Sequence, residues 1–175
     1  MKKLMLVLVM MAGYGITFGQ TDAISKFFAK YQNDESFSNV TVSSKMFSLF
    51  TNMEVETAED KEVVEAISKI KGLRILAKED ARNARELYKE AFTLIPVKDY
   101  EELMTVRDKD QDMKFLIKDD GKGKISELIM IMGGTTDFMI MTLYGEIDLK
   151  QVSRIGKRME IDGLDQLENL DKKKN

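Results

Sequence analysis

The second half of the chain alternates apolar and polar positions in three short runs, which turn residues separate. Alternation with a period of two is typical of β-strands. The runs are Met113–Lys118, Lys124–Met132 and Phe138–Tyr144. The glycines of Asp119–Gly123 and the pair Gly133-Gly134 permit the tight reversals between them. The pattern therefore predicts an antiparallel meander of three strands.

The last two predicted strands are apolar on both of their faces. Leu128, Met130 and Met132 alternate with Ile125, Ile129 and Ile131, and Phe138 and Ile140 oppose Met139, Met141 and Leu143. Strands without a polar face need cover on both sides. We therefore expect them in the middle of a covered sheet.

A helix start follows the meander. Gly145 is predicted to end the third strand, and Asp148 to be the N-cap of a helix. Gln151 has the spacing to reach back to the backbone N–H of the cap, and Ile147 and Val152 the spacing of a hydrophobic staple. A functional carboxylate pair of Glu146 and Asp148 is the alternative, but a cap explains Asp148 without it.

The first half of the chain shows mainly helical spacing. The predicted elements are a helix over Asp22–Tyr31, a short strand over Phe37–Val42, a helix capped by Ser43 or Ser44 with the apolar face Met46, Leu49, Phe50 and Met53, an acidic loop over Glu54–Asp60, a helix over Lys61–Lys71 closed by Gly72, and a strand over Leu73–Leu76. Pro96 is predicted to end the next helix, whose apolar face is Ala84, Leu87, Tyr88, Ala91 and Ile95. A short helix over Tyr100–Val106 is predicted to follow, and Asp99 and Glu102 have the spacing of a capping box at its start.

These elements indicate an α+β fold of about five strands, with helices packed on the sheet. We expect a single domain over residues 20–175 with a polar tail at about 171–175. Near the end of the chain, Ile161, Leu164, Leu167 and Leu170 recur every three residues. A loosely packed terminal turn is the favoured interpretation of this stripe, and a helix that docks a partner is the alternative.

Residues 1–19 have the pattern of a signal peptide: Lys2-Lys3, an apolar run over Leu4–Ala12, and small residues at Thr17 and Gly19. We therefore expect export to the periplasm or the extracellular space. No later stretch is apolar over the length of a membrane span, and without cysteine there is no lipobox, so we expect no transmembrane segment and no lipid anchor.

The amino-acid composition excludes several classes of catalytic and metal site. The chain has no histidine and no cysteine, which excludes Ser-His-Asp and Cys-His catalysis and histidine-based zinc sites. Its net charge of −3 comes from interspersed signs, so no basic stripe predicts nucleic-acid binding. Carboxylate, lysine or tyrosine chemistry remains open.

Asp108, Asp110 and Asp112 have the spacing that opens a calcium loop, with Asp119 at the twelfth position. Met113 stands where such a loop needs glycine, so an acidic turn before a strand is the better interpretation.

Met130, Met132, Met139 and Met141 lie in neighbouring predicted strands and could present thioethers to copper(I). Filling of a hydrophobic core is the commoner role of methionine at such positions.

Glu127 is the one acid within a strongly apolar strand. Catalysis by paired carboxylates would need a second acid across a cleft. We favour instead a cross-strand pair with Lys114 or Lys118.

Four segments together resemble one family of small exported bacterial proteins, a domain of unknown function, DUF4252. The segments are Val40–Met46, Tyr100–Met104, Gly123–Leu128 and Gly145–Leu149. The resemblance implies export from a Gram-negative cell and one α+β domain, and it supplies no activity or site residues.

The sequence thus favours a non-catalytic exported domain that contacts a protein or another envelope component, in envelope signalling or maintenance. We expect no catalytic, cofactor-binding or metal site. The alternative is a periplasmic binder of a small ligand or metal, which a wide pocket bordered by Glu127 or Tyr144 would favour.

Overall fold

The computed structural model describes residues 23–51, 57–119, 124–158 and 164–167. The elements in these ranges are α1 (Ala23–Tyr31), β1 (Ser38–Ser43), α2 (Ser44–Phe50), α3 (Ala58–Ser68), β2 (Ile70–Lys78), α4 (Ala84–Leu94), β3 (Glu101–Arg107), β4 (Gln111–Asp119), β5 (Ile125–Gly134), β6 (Phe138–Ile147) and α5 (Leu149–Arg158). Short 3-10 turns occupy Val97–Asp99 and Leu164–Leu167. The signal peptide predicted over residues 1–19 and the polar tail at about 171–175 lie outside the described residues.

The six strands form one antiparallel sheet in the order β1-β2-β6-β5-β4-β3. The strands β4, β5 and β6 form the predicted meander. β2 joins it from far away in the chain, so that Leu76 pairs with Ile140. β1 and β3 are the two edges of the sheet. The α+β fold is confirmed, and β3 is the strand that the sequence does not predict.

Both faces of the central strands are covered. Helices α1 and α4 cover the first face, with Ile24, Phe27, Phe28, Leu87 and Ala91 packed against Leu76, Ile129, Ile131, Phe138 and Ile140. On the second face, Val152 of α5, Leu164 and Leu167 pack with Met113, Phe115, Leu128, Met130, Met141 and Leu143. Leu164 and Leu167 of the C-terminal stripe therefore lie in this second core, while Ile161 and Leu170 are outside the described residues.

A β-bulge changes the face of one residue in β5. The sequence predicts Ile125 on the face of Ile129 and Ile131, but Ile125 packs with the second core. The pairing with β6 shifts between Ile125 and Glu127, and an extra residue of this kind inverts the alternation. At the other end, Gly133 and Gly134 are the last residues of the strand rather than its break.

Helix α2 presents a different face from the predicted one. Phe47 packs on the second core, whereas Met46 and Leu49 are exposed. The helix has only seven residues and follows directly from β1, so the exit of the strand sets which side faces the sheet. The Phe50 side chain and Met53 lie outside the described residues.

Helix α3 begins earlier and ends earlier than predicted. Thr57, within the predicted acidic loop, caps it, since its hydroxyl oxygen accepts the Asp60 N–H at 3.0 Å. The helix ends at Ser68, and Ile70 already belongs to β2. Gly72 is therefore not a helix cap. A Cβ at Gly72 would lie 2.2 Å from the Tyr144 hydroxyl, so the absence of a side chain there leaves room for the tyrosine.

The predicted helix over Tyr100–Val106 is wrong, because this segment forms the edge strand β3. It pairs with β4, so that Thr105 lies opposite Lys114. Glu102 does not cap a helix: its carboxylate accepts hydrogen bonds from Thr105 and Lys114. Ladder hydrogen bonds to β4 outweigh the local capping pattern.

Asp148 caps α5 as predicted. Its Oδ1 accepts the N–H groups of Lys150 at 2.9 Å and Gln151 at 3.2 Å. The side chain of Gln151 does not reach back to the cap, however. It is buried and its amide donates to Glu62 at 3.3 Å, which joins α5 to α3.

No helix among the described residues has the length and apolarity of a membrane span.

Candidate functional site

The outer edge of β1 is open among the described residues. β1 lies at the end of the sheet and pairs only with β2, in continuous register from Ser38 opposite Ala77 to Ser43 opposite Gly72. In an antiparallel edge strand, about half of the backbone N–H and C=O groups point away from the sheet. As far as the described residues go, a regular edge about 20 Å long is thus free to accept another strand.

Nothing in the composition of β1 blocks such pairing. Its sequence is SNVTVS, with no charged residue and no proline, and no bulge interrupts its register. Edges that resist pairing usually carry charges, proline or a bulge.

The opposite edge, β3, has two of these protective features, charged residues and a bulge. It carries Glu101, Glu102 and Arg107, and its register shifts between Glu102 and Met104. Arg107 donates to Asp112 at 2.8 Å, and Lys114 donates to Glu102 at 2.6 Å. Hydrogen bonds from Lys114 and Thr105 lower the pKa of Glu102, so this edge keeps its negative charge at neutral pH.

Exposed apolar side chains occur in the edge strand and in the helix that follows it directly. Val40 in β1 is 46% exposed, and Met46 and Leu49 in α2 are 47% and 55% exposed. Val40 shares its face with Val42, which packs on the second core, and α2 packs against β1 and β2 on that same face. We call β1 with Val40, Met46 and Leu49 the β1–α2 edge.

Glu127, the acid that the sequence singles out, lies on the first face of β5. Its carboxylate oxygens accept hydrogen bonds from the Tyr100 hydroxyl at 2.9 Å and the Thr142 hydroxyl at 3.3 Å. Lys118 is its cross-strand neighbour, but the Lys118 ammonium lies over the Tyr100 ring. Lys114 pairs with Glu102 instead. The predicted lysine partners are therefore replaced by hydroxyl groups.

The methionines of the meander lie on the second face of the sheet. Met130, Met132 and Met141 are buried and Met139 is partly buried, in the core that also holds Phe115 and Leu128. Their packing accounts for their positions.

Two aspartates of the possible calcium loop, Asp108 and Asp112, have structural roles. Oδ1 of Asp108 accepts the N–H groups of Asp110 and Gln111, each at 2.8 Å, which closes the turn between β3 and β4. Asp112 is held by Arg107, and Asp119 lies at the far end of β4. In the described part of the chain, no three acidic side chains come together as a metal site.

Two adjoining clefts lie where β2 and β5 begin and β6 ends. The first, of about 720 Å³, is bordered by α2 and the end of α3 and is lined by Lys45, Lys69, Lys71, Lys124, Glu146 and four serines, among others. The second, of about 560 Å³, lies between α3 and the start of α5. Neither is lined by Glu127 or Tyr144. The sequence does not indicate the first cleft, because its four lysines come from three separate segments.

Comparison with known proteins gives one match. The family described as Domain of unknown function (DUF4252) matches residues 31–155, which is more than half of the chain. No match was found among curated proteins or solved structures. The family match confirms the resemblance that the sequence predicts. The chain belongs to the DUF4252 family.

Proposed function

We propose that the chain is a non-catalytic, exported domain that binds an envelope protein, and that it does so by accepting an extended segment of that protein as a strand beside β1. The observation that carries this proposal is the contrast between the two sheet edges. β3 has charges and a bulge, whereas β1 is regular and uncharged.

Strand addition suits this edge because backbone hydrogen bonds supply affinity and alternate side chains supply specificity. The added strand would extend the face that carries Val40, beside α2. Val40, Met46 and Leu49 would then contact its apolar side chains. We therefore expect the bound segment to be extended and to alternate apolar and polar residues.

The lack of histidine and cysteine supports the non-catalytic part of the proposal. Glu127, the strongest candidate for acid–base work, is held by Tyr100 and Thr142 within the sheet. A hydrogen-bonded carboxylate of this kind stabilises packing without any reaction.

Export is part of the same proposal, supported by the signal-peptide pattern of residues 1–19. Expression of the full chain in a Gram-negative host should give a periplasmic or extracellular product that begins at Gln20. Intact-mass measurement of the fractionated product tests this, and a cytoplasmic product that retains Met1 would contradict it.

The partner is identified by photocrosslinking from the edge. A benzophenone amino acid at Asn39 in β1 is compared with one at Arg107 in β3, in envelope extract. The crosslinked segment is then made as a peptide and titrated against the purified domain. Hydrogen exchange should show new protection of those amides within Ser38–Ser43 that point away from β2, because strand addition engages them.

Two matched variants decide whether the edge is responsible. Thr41→Lys places a charge on β1 and Thr105→Lys places the same charge on β3, and each threonine lies opposite a basic residue, Arg74 or Lys114. We expect Thr41→Lys to weaken peptide binding about tenfold or more, and Thr105→Lys to leave it unchanged. The unfolding midpoints of both variants show whether each remains folded.

Equal binding by the two variants would contradict strand addition at β1. Protection of amides elsewhere would contradict it as well. A dimer that Thr41→Lys dissociates, in sedimentation of the isolated domain, would show that a second copy of this chain occupies the edge, and would overturn the proposal of an envelope protein.

A further inference from the structure

The first cleft, of about 720 Å³, concentrates positive charge in an acidic chain. Four lysines, Lys45, Lys69, Lys71 and Lys124, face one glutamate, Glu146, which gives the lining a formal charge of +3. The whole chain has a net charge of −3. A concave surface lined by one sign of charge raises the local concentration of ions of the other sign.

The lysines fall into two kinds. Lys124 and Lys69 both pair with Glu146, at 2.7 Å and 3.7 Å, and Lys69 also pairs with Glu65 at 2.8 Å. The ammonium groups of Lys45 and Lys71 make no hydrogen bond or ion pair with another described residue. Among the described residues, Lys45 and Lys71 thus have no ion pair that an anionic ligand would need to displace.

Hydrogen bonds at the cleft favour the charged forms of Glu146 and Lys69. Hydrogen bonding from Lys124 lowers the pKa of Glu146, and hydrogen bonding to Glu65 raises the pKa of Lys69. Glu146 therefore remains ionised and competes with any ligand for Lys69 and Lys124.

The remaining lining suits an organic anion. Ser44, Ser48, Ser68 and Ser126 bring four hydroxyl groups, and Ile70 and Ile125 bring an apolar wall. A hydroxyl hydrogen can rotate onto a ligand oxygen. The volume lies in the range of sites that enclose a small organic molecule, about 300–1,000 Å³, and exceeds what a bare inorganic ion fills.

The second cleft favours one orientation of such a ligand. Its lining combines Glu62, Glu65, Glu146 and Asp148 with Lys69, Lys124 and Lys150, a formal charge of −1. The two clefts share Lys69, Lys124, Ile125 and Glu146. An anionic group is attracted to the first cleft and repelled by the second.

We propose that the first cleft binds the phosphate group of an organic phosphate ester, with Lys45 and Lys71 as its principal contacts. A phosphate monoester carries up to two negative charges and three acceptor oxygens, which matches several ammonium groups from different segments better than a monocarboxylate does. A phospholipid headgroup such as that of phosphatidylglycerol carries its phosphate as a diester, with one negative charge and two terminal oxygens, so it shares the anionic phosphate with a free phosphorylated metabolite but offers fewer contacts.

Titration of the whole domain tests the site. The probes are sodium phosphate, glycerol 3-phosphate, and vesicles of phosphatidylglycerol or phosphatidylcholine. Binding is followed by calorimetry for the soluble probes and by co-sedimentation for the vesicles, and backbone NMR shifts locate it. We expect glycerol 3-phosphate to bind more tightly than sodium phosphate and to shift the amides of Lys45, Lys71 and Ser126.

Three variants and a control distinguish binding at the first cleft from a general effect of the protein's charge. Lys71→Glu and Lys45→Glu should each weaken binding about tenfold, because each reverses one charge that faces the ligand. Lys89→Glu, on the exposed face of α4, should leave it unchanged. Glu146→Gln should strengthen it about threefold, because it removes the one negative charge from the lining of the first cleft, and a gain of affinity cannot result from loss of the fold.

The vesicle measurements distinguish a phospholipid headgroup from a free phosphorylated metabolite as the ligand. Binding to phosphatidylglycerol but not to phosphatidylcholine, lost in Lys71→Glu, supports a lipid headgroup, whereas binding of the soluble ester alone supports a free metabolite. An equal loss in Lys89→Glu, the absence of any gain in Glu146→Gln, or shifts confined to other parts of the domain would overturn the proposal.

Discussion

Gly145 occupies a position that no residue with a side chain can adopt without strain. Its φ is +142°, in a region that favours glycine. A Cβ there would lie 2.4 Å from the Lys69 carbonyl oxygen and 2.9 Å from Cα of Ile70. These are backbone atoms that cannot rotate away. Gly145 thus permits the close approach of the end of β6 to the start of β2, beside both clefts.

Replacement of Gly145 by alanine should therefore destabilise the fold by about 2–4 kcal/mol, since it combines an unfavourable φ with a backbone clash. Urea denaturation measures the change. Gly134→Ala is the control: a Cβ at Gly134 would meet its nearest atoms at 3.4 Å, and no positive φ is required there. Equal stability of the two variants would contradict the role of Gly145.

Glu90 joins the two helices that cover the first face. Its Oε2 accepts the Tyr31 hydroxyl at 2.8 Å, and Lys30 pairs with its Oε1. Partial burial acts to raise the pKa of Glu90, but the hydrogen bonds from Lys30 and Tyr31 outweigh it, so the pKa lies below the ordinary value. The ionised carboxylate therefore stabilises the fold above the ordinary glutamate pKa, and this stabilisation is lost as the pH falls through the lowered pKa.

Glu90→Gln should lower the free energy of unfolding by about 1 kcal/mol at neutral pH. The difference from the parent chain should shrink toward zero in acid, where Glu90 of the parent is itself protonated. Urea denaturation at a series of pH values from neutral into acid measures how the difference changes. Glu79→Gln, at an exposed position, should show little difference at any of these pH values, and a difference that persists in acid for Glu90→Gln would contradict the ionic explanation.

At the scale of the elements, the start of α5 depends on one side chain. Asp148 accepts two backbone N–H groups that would otherwise lack partners, and Val152 behind it is buried in the second core. Asp148→Ala should destabilise the fold by about 1 kcal/mol. Asp148→Asn retains an acceptor oxygen and should cost much less. Thermal denaturation of the two variants compares them, and equal losses would show that the charge matters rather than the cap.

The meander and the helices of the first face are predictable from the sequence because local pattern and final packing agree there. In α1, Ile24, Phe27 and Phe28 have helical spacing and are fully buried. In β6, the alternation of Phe138 and Ile140 with Met141 and Leu143 separates the residues of the two cores. Where one periodicity dominates, burial follows it.

The errors occur where a contact distant in the sequence decides the structure. Asp99 and Glu102 have the spacing of a capping box, but β4 offers a ladder of backbone hydrogen bonds and β3 forms instead. Ile125 changes face because of a bulge, which single-residue alternation cannot indicate. Gly72 has the sequence position of a helix cap, but in the structure it lies in β2, where its lack of a side chain leaves room for the Tyr144 ring.

Neither candidate site is predictable from the sequence, for different reasons. The open edge depends on strand order, which decides that β1 rather than β2 lies at the border of the sheet. The first cleft depends on the meeting of three separate segments, which carry Lys45, the pair Lys69 and Lys71, and Lys124. Sequence patterns over a few neighbouring residues indicate neither the order of strands in a sheet nor the meeting of distant segments.

At the scale of the whole molecule, the sheet separates two cores, and the second contains most of the buried methionine. Met130→Ala should destabilise the fold by about 2–5 kcal/mol, because it leaves a cavity between the sheet and its cover. Met46→Ala, at an exposed position of α2, should change stability by less than about 0.5 kcal/mol. Urea denaturation compares them, and a small effect of Met130→Ala would indicate that the second face is open to solvent.

The strand order also determines when the domain can be completed as the chain is made. The hairpins of the meander join neighbours in sequence, but β2 must wait for β6, the last strand, before it gains its second neighbour. Contacts between distant segments form late because long loops must close first. Before Phe138 is synthesised, the nascent chain can therefore form only the β1–β2 pair and the three-stranded β3–β4–β5 sheet. In each of these, the strand that later pairs with β6 still has unpaired backbone groups.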